Sequence, residues 1–206
     1  MHRTALITIA SISLIVLTTA CSTEAPKKAE TKKAPPEMVG GQSAFFKMYG
    51  QARTWAQDAQ GFQCIPVPLA SHPAKDGKWP AWRCQYASVT KGAVKAWTFS
   101  IAEEEGVHEG VFGGTEERLN TSGQMQPWPI QALKVDSPAA IETAKGRKEA
   151  VTYMQKNPDT PITVLLARTK RHPNLTWRVL WGTSVSASNF SVLVDASTGE
   201  YLEILR

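Results

Sequence analysis

An acidic run beside a histidine is the part of this sequence whose residue types could do acid–base chemistry. Glu103, Glu104 and Glu105 are consecutive, and His108 and Glu109 follow closely. Carboxylates next to an imidazole can transfer protons during hydrolysis. Because the run lies between two segments with the pattern of strands, a solvated hairpin turn is the preferred interpretation.

Other residue types used in catalysis and metal binding are spread along the chain. His72, His108 and His172 are far apart, and none has the spacing of a metal site to another histidine or to a cysteine. There is neither a Gly-x-Ser-x-Gly motif nor a phosphate-binding loop. We therefore predict no catalytic residue, no metal and no cofactor, and we expect that the chain is not an enzyme.

The stretch Asp195–Gly199, which reads Asp-Ala-Ser-Thr-Gly, could line a phosphate or catalytic site or form a turn. Alternating apolar residues precede it from Phe190, and a second strand pattern, Tyr201–Leu205, follows it. An aspartate can accept hydrogen bonds from turn amides, and glycine tolerates a positive φ. We predict that Asp195, Thr198 and Gly199 are structural residues of a hairpin corner.

The N-terminus has the features of an export and anchoring signal. Arg3 precedes an apolar run, Ala5–Leu17, which is short for a membrane span. The segment Leu17–Cys21 resembles the bacterial lipobox, in which the cysteine receives a diacylglycerol thioether and becomes the N-terminus. The resemblance implies a lipoprotein signal peptide at residues 1–20 and lipidation of Cys21, and an uncleaved anchor is the alternative.

Residues 21–42 are rich in lysine, proline and glycine and contain few apolar residues, which predicts a lipidated cysteine followed by a flexible tether. We therefore expect attachment to a membrane of the bacterial cell envelope, on the periplasmic face or at the cell surface. Ser22 after the cysteine favours the outer membrane. A net charge of +5 over 206 residues is too small a field to indicate a nucleic-acid partner, and we predict no small-molecule substrate.

Two of the three cysteines, Cys64 and Cys84, remain if Cys21 is lipidated. An even number of cysteines in an oxidising compartment is typical of disulfide bonding. We predict a disulfide between Cys64 and Cys84, and two buried free thiols are the alternative.

Two segments of similar sequence suggest an internal duplication. Pro80–Tyr86 and Leu175–Trp181 both contain Trp-Arg followed by alternating bulky residues, and a Phe-Ser pair follows each at a similar offset. Amphipathic helix patterns precede both segments, one from Ser43 to a stop at Gly61 and one from Ser137 to Asn157. The predicted strands are Phe62–Val67, Trp82–Ser88, Val94–Ala102 and Val107–Phe112 in the first half, and Thr163–Arg168, Thr176–Gly182, Phe190–Asp195 and Tyr201–Leu205 in the second.

Two further features could recognise a partner. Trp79, Trp82, Trp97 and Trp128 could form an exposed aromatic surface, although core filling is the preferred interpretation. The basic turn Arg168–Asn174 could contact a lipid phosphate or an acidic partner, although most such turns are merely solvated.

Three segments of the second half carry a resemblance to a known family: "SPAAIETA" at the start of the helix, "TWRVLW" on a middle strand and "FSVLVDASTGEYLEI" as the final hairpin. With them, residues 134–206 resemble a PepSY domain. The first half, residues 43–113, matches this plan in outline, and residues 114–133 read as a connector. The resemblance implies an α+β fold of two tandem PepSY-like units, each with one helix packed on an antiparallel β-meander.

PepSY domains occur in the pro-regions of secreted metallopeptidases and in bacterial envelope proteins. The resemblance implies a binding or inhibitory module that acts on peptidases. We therefore expect a membrane-anchored envelope lipoprotein that is a non-catalytic protein- or peptide-binding module and modulates a peptidase. The alternative is a structural envelope lipoprotein without a specific soluble partner.

Overall fold

Residues 37–206 are described by the structure, a computed structural model, and all of them lie in one compact unit. The fold is α+β, as predicted, with three α-helices and a nine-stranded antiparallel sheet. The helices are α1 (Gly41–Trp55), α2 (Ser137–Lys145) and α3 (Lys148–Lys156). The strands are β1 (Gln60–Val67), β2 (Ala81–Ser88), β3 (Ala93–Ser100), β4 (Gly110–Arg118), β5 (Met125–Gln126), β6 (Ile162–Thr169), β7 (Thr176–Trp181), β8 (Phe190–Asp195) and β9 (Tyr201–Leu205).

Eight of the strands follow one path across the sheet, in the order β4-β3-β2-β1-β6-β7-β8-β9, and β5 pairs with β6 beside this path. Within each half, consecutive strands pair antiparallel, so each half is a meander that runs outward from the centre. At the centre, Gln63 of β1 lies opposite Ala167 of β6, and Cys64 lies opposite Leu166. The two halves therefore share one continuous sheet.

The helices pack on one face of this sheet, which we call the covered face. The ring of Phe45 on α1 lies 4.8 Å from that of Tyr86 on β2, and Tyr153 on α3 stacks on Phe190 of β8 at 4.7 Å. Each such apolar side chain contributes about 1.5–3 kcal/mol on burial. The Tyr86 hydroxyl donates a hydrogen bond to the carbonyl of Phe45 at 2.7 Å, and its burial raises the pKa of Tyr86 well above the usual value.

Two tryptophans at matching places in the two halves make matching hydrogen bonds. Trp82 Nε1 donates to the carbonyl of Val39 at 3.0 Å, and Trp177 Nε1 donates to that of Val135 at 2.8 Å. Each acceptor lies two residues before a helix begins. The two rings approach to 6.3 Å at the centre of the molecule. A Cβ on Gly41 would lie 2.5 Å from Trp177 Cη2, so α1 can begin between these rings only with a glycine.

Cys64 and Cys84 lie directly opposite each other on β1 and β2 and form a disulfide. Both are fully buried on the covered face. The bond therefore joins neighbouring strands of the first half within the core.

The four tryptophans that could have formed a recognition surface are buried: Trp79, Trp82, Trp97 and Trp128. They fill the core and do not form an exposed recognition surface.

The first helix begins and ends earlier than predicted. α1 starts at Gly41, whereas the sequence pattern placed the start at Ser43, because side chains of the second half cap its first amides. It ends at Trp55, well before the stop predicted at Gly61, because Ala56 is already extended (φ −149°, ψ 125°).

The predicted tether is also too long at its C-terminal end, because Val39 pairs with the backbone of Trp79. Cys21, the signal peptide and the rest of the tether lie outside the described residues.

The prediction of a single helix from Ser137 to Asn157 is wrong. Two helices occupy this span, because Arg147 takes an extended backbone (φ −76°, ψ 136°) directly after Gly146, a residue of low helix propensity. The second half therefore has two helices over its meander.

None of the helices formed by residues 37–206 combines the length and the apolar character that crossing a membrane requires.

The fourth strand differs from the prediction of Val107–Phe112. β4 runs from Gly110 to Arg118 and crosses the boundary predicted at residue 113, and β5 also lies in the predicted connector. The glycine pair Gly113–Gly114 suggests a turn in the sequence. In the structure it lies in the edge strand, where Gly113 pairs with Trp97 of β3.

Candidate functional site

The face of the sheet opposite the helices, which we call the helix-free face, carries its own row of paired side chains. Arg83 of β2 lies opposite Ile65 of β1. On the other side of the centre, Leu165 of β6 lies opposite Arg178 of β7, which in turn lies opposite Leu193 of β8. Because side chains alternate between the faces of a strand, arginine and apolar side chains share this face.

Three adjoining cavities on the helix-free face form one depression across the strands, which we call the groove. The largest, of about 470 Å³, lies over β1, β6 and β7. Smaller cavities of about 230 Å³ and about 210 Å³ continue it toward β9 and toward β2, and they share lining residues with the largest. Ligand sites commonly have volumes of about 300–1,000 Å³. Residues of the largest cavity include Gln63, Ile65, Met125, Thr163, Leu165, Arg178, Leu180 and Val185.

Arg178 lies in the middle of the groove, where it lines both the largest cavity and the one toward β9. Its side chain is half-buried, and Nε donates a hydrogen bond to Ser191 Oγ at 3.0 Å. Within residues 37–206 no carboxylate lies within ion-pair distance of it. Burial lowers the pKa of Arg178 from its usual value, yet a guanidinium stays charged in proteins. A half-buried cation without a counter-charge destabilises the folded state.

At the β9 end of the groove the carboxylate of Glu203 faces the basic side chains. Arg171 Nη2 and His172 Nε2 each lie 3.1 Å from Glu203 Oε1. Lys170 of the same basic turn donates to the carbonyl of Ser122 at 2.6 Å. Among the residues found to line the three cavities none is acidic. Arg83 at the β2 end of the groove also has no ion pair among residues 37–206, but it is exposed, so Arg178 is the half-buried charge without a counter-charge at the centre of the groove.

The acidic run, for which a solvated hairpin turn was preferred over an acid–base cluster, forms surface contacts away from the groove. His108 Nδ1 lies 2.6 Å from Glu103 Oε1, and both side chains are exposed. Glu104 accepts hydrogen bonds from the Ser71 hydroxyl at 2.7 Å and the Ala70 amide at 2.8 Å. These bonds lower the pKa of Glu104, the Ser71 hydroxyl having the larger effect. The carboxylates therefore connect two loops rather than converge on a cavity.

The described residues contain no group of three or more His, Cys, Asp or Glu side chains that could hold a metal ion.

The Asp195–Gly199 stretch forms the corner between β8 and β9. Asp195 Oδ1 accepts hydrogen bonds from the amides of Ser197 at 2.7 Å and Thr198 at 3.1 Å. Asn174 Nδ2 donates to Asp195 Oδ2 at 3.0 Å. Gly199 has φ +80°, in the left-handed region that favours glycine. Both oxygens of the Asp195 carboxylate therefore accept hydrogen bonds from within the protein.

Arg178 was not among the predicted site residues. It lies inside the "TWRVLW" segment, which served only to identify a strand. The available signal was a single charged residue at an alternate position of an otherwise apolar strand. Its neighbours Leu165 and Leu193 come from the adjoining strands β6 and β8, whereas Ile65 comes from β1, which is more than a hundred residues away in sequence.

No protein-family model matches the sequence, and a comparison with curated proteins finds no match. Among solved structures, a candidate lipoprotein of Clostridium difficile 630 is similar over 82% of this chain and 94% of that chain, with a TM-score of 0.47 and 8% sequence identity. A likeness at this level carries no argument about fold or function. The resemblance to PepSY domains stays a prediction.

Proposed function

We propose that this chain is a lipid-anchored protein of the bacterial cell envelope that binds a polypeptide in the groove without catalysing a reaction. One observation carries the proposal: helices cover one face of the sheet, while the other face has an open groove with an uncompensated arginine at its centre. Such an arginine destabilises the free protein. A ligand that brings a counter-charge accounts for its presence.

The N-terminal sequence supports the proposed location. The apolar run, the small residue at Ala20 and the following Cys21 fit a lipoprotein signal. Two or three acyl chains on one residue anchor a protein stably, whereas one chain gives only marginal attachment. The polar composition before α1 suits a connection between the lipid and the folded unit.

The arrangement of the two halves supports tandem PepSY-like units. Each half has a four-stranded meander preceded by helix, one helix in the first half and two in the second. Trp82 and Trp177 make equivalent hydrogen bonds to the segments before α1 and α2. An internal duplication accounts for both features. The family resemblance makes a peptidase of the envelope the first partner class to test, with modulation of its activity as the consequence of binding.

Site-specific photocrosslinking in the native membrane tests the proposal. A photoreactive residue replaces Gln85, which lines the groove, and as the matched control replaces Gln51, which is exposed on α1. We expect the chain altered at Gln85 to form a covalent adduct with the same polypeptide in repeated experiments, identified by mass spectrometry, and the control to lack it. No polypeptide adduct at Gln85, or the same adducts at both positions, would contradict the proposal.

A further inference from the structure

The groove combines three kinds of side chain. Ile65, Leu165 and Leu180 are apolar, and Gln63 and Thr163 beside them offer neutral hydrogen-bonding groups. The third kind is the cation at the centre. A bound molecule that matches this surface has apolar groups, backbone-like polar groups and an anion.

A polypeptide fits these groups better than an acyl chain does. Peptide N–H and C=O groups can pair with the amide and hydroxyl side chains of the groove. An acyl chain would cover those side chains without giving them partners, which is unfavourable. The groove is also open along its length, because three cavities continue into one another on the surface of the sheet.

The position of Arg178 indicates where the anion lies in the ligand. Cavities continue on both sides of it, over β6 and β1 in one direction and over β8 and β9 in the other. A ligand that fills both therefore extends past the arginine on each side. From β2 to β9 the groove crosses five gaps between strands, about 24 Å at about 4.8 Å per gap, which an extended peptide of about seven residues spans.

Arg178 has unused hydrogen-bonding capacity for this anion. Its Nε is bonded to Ser191, while its two Nη groups have no hydrogen-bond partner within residues 37–206. A guanidinium and a carboxylate can form two parallel hydrogen bonds, which are among the strongest in proteins.

We propose that the groove recognises an extended apolar segment of a polypeptide that carries an aspartate or glutamate near its middle, with this carboxylate bound by Arg178. The inference rests on the proposed function and adds the class of ligand. Apolar residues of the segment contact Ile65 and Leu165 on one side of the arginine and the half-buried Leu205 on the other.

Binding of defined peptides tests the inference on the full chain carrying Cys21→Ser. The probe is the fluorescein-labelled seven-residue peptide Ser-Leu-Ser-Glu-Ser-Leu-Ser with an amidated C-terminus, in which the two leucines and the glutamate share one face of the extended chain. The matched peptide has glutamine in place of the glutamate. We expect the glutamate peptide to bind at least tenfold more tightly by fluorescence anisotropy, which corresponds to about 1.4 kcal/mol. Arg178→Gln removes this difference, and Arg53→Gln on α1, outside the groove, keeps it.

Other results would overturn the inference. Equal binding of the two peptides would show that the groove does not recognise a carboxylate. The proposed function would still stand, because it is tested separately by crosslinking of the native ligand at Gln85. Equally tight binding of a glutamine peptide with a free C-terminus assigns the anion to a chain end. Binding of a fluorescein-labelled decanoyl probe, with no binding of either peptide, assigns the groove to acyl chains.

The comparison of the two peptides uses unaltered Arg178 and so does not depend on how a variant folds. Arg178→Gln should unfold at an unchanged or higher urea concentration, because glutamine removes the uncompensated charge and can still donate to Ser191. A clear loss of stability would show that Arg178 is a structural residue and would overturn its assignment to a ligand.

Discussion

Asp136 joins the N-termini of two helices from different halves of the chain, and its replacement gives a quantitative test of the fold. Its Oδ1 accepts hydrogen bonds from the amide of Ser137 at 2.7 Å and from that of Gln42 at 2.8 Å. The first bond caps α2 and the second reaches the first turn of α1. The carboxylate therefore faces the positive ends of two helix dipoles.

The expected loss can be built from these contacts. Removal of an N-cap side chain costs about 1 kcal/mol, and loss of a hydrogen bond to a charged group costs about 1.5–3 kcal/mol. The two effects share one carboxylate, so we expect Asp136→Ala to lower the free energy of unfolding by about 3 kcal/mol. Asp136→Asn keeps an Oδ1 acceptor and loses only the charge, so we expect a loss of about 1 kcal/mol.

Urea unfolding followed by tryptophan fluorescence measures both values. The control is Asp159→Ala, an exposed aspartate without a side-chain hydrogen bond among the described residues, for which we expect a change below about 0.5 kcal/mol. If Asp136→Ala loses no more than this control, the double cap does not stabilise the fold. If the alanine and asparagine variants lose equal amounts, the hydrogen bonds to Oδ1 are not the cause.

Three further predictions concern stability. Replacing the Cys64–Cys84 pair by alanines should lower the free energy of unfolding by about 3 kcal/mol, because the disulfide closes a loop of 20 residues; an unchanged urea midpoint would refute this. Gly199→Ala should lower it by about 1–2 kcal/mol, the cost of a left-handed backbone at a residue with a Cβ, and an unchanged melting temperature would contradict the hairpin assignment. Hydrogen bonds from the Ser88 hydroxyl and the Thr90 amide lower the pKa of Asp58 to about 2. Since this is below the unfolded value of about 3.9, the stabilisation is complete above about pH 4 and is lost as pH falls through about 2. Asp58→Asn should therefore be less stable than the parent at pH 5 but not at pH 2.

The strands of the second half were predicted almost to the residue, because local patterns determine them. Alternation in "TWRVLW" and in the segment from Phe190 reports directly which side chains face the core. Errors occurred where tertiary contacts override local pattern. α1 starts at Gly41 because Asp136, almost a hundred residues away, caps it, and β4 continues through a glycine pair because β3 supplies its partner.

The groove could not be predicted because strand order is not visible in the sequence. Ile65 and Leu165 line the same cavity only because β1 pairs with β6 at the centre of the sheet. The same pairing brings Arg178 between two cavities. A charged residue inside an apolar strand was visible, and the predicted meander places β6 and β8 beside it, but its proximity to β1 was not visible.

A polypeptide bound in the groove must contact the helix-free face of the sheet and leave the covered face unchanged. Methyl NMR of the full chain carrying Cys21→Ser, titrated with the glutamate peptide, tests this directly. We expect shifts of the methyl resonances of Leu165 and Leu180 on the helix-free face, with those of Val179 and Val192 on the covered face unchanged. Shifts confined to residues outside the groove, or no shifts at a millimolar concentration of peptide, would contradict the account.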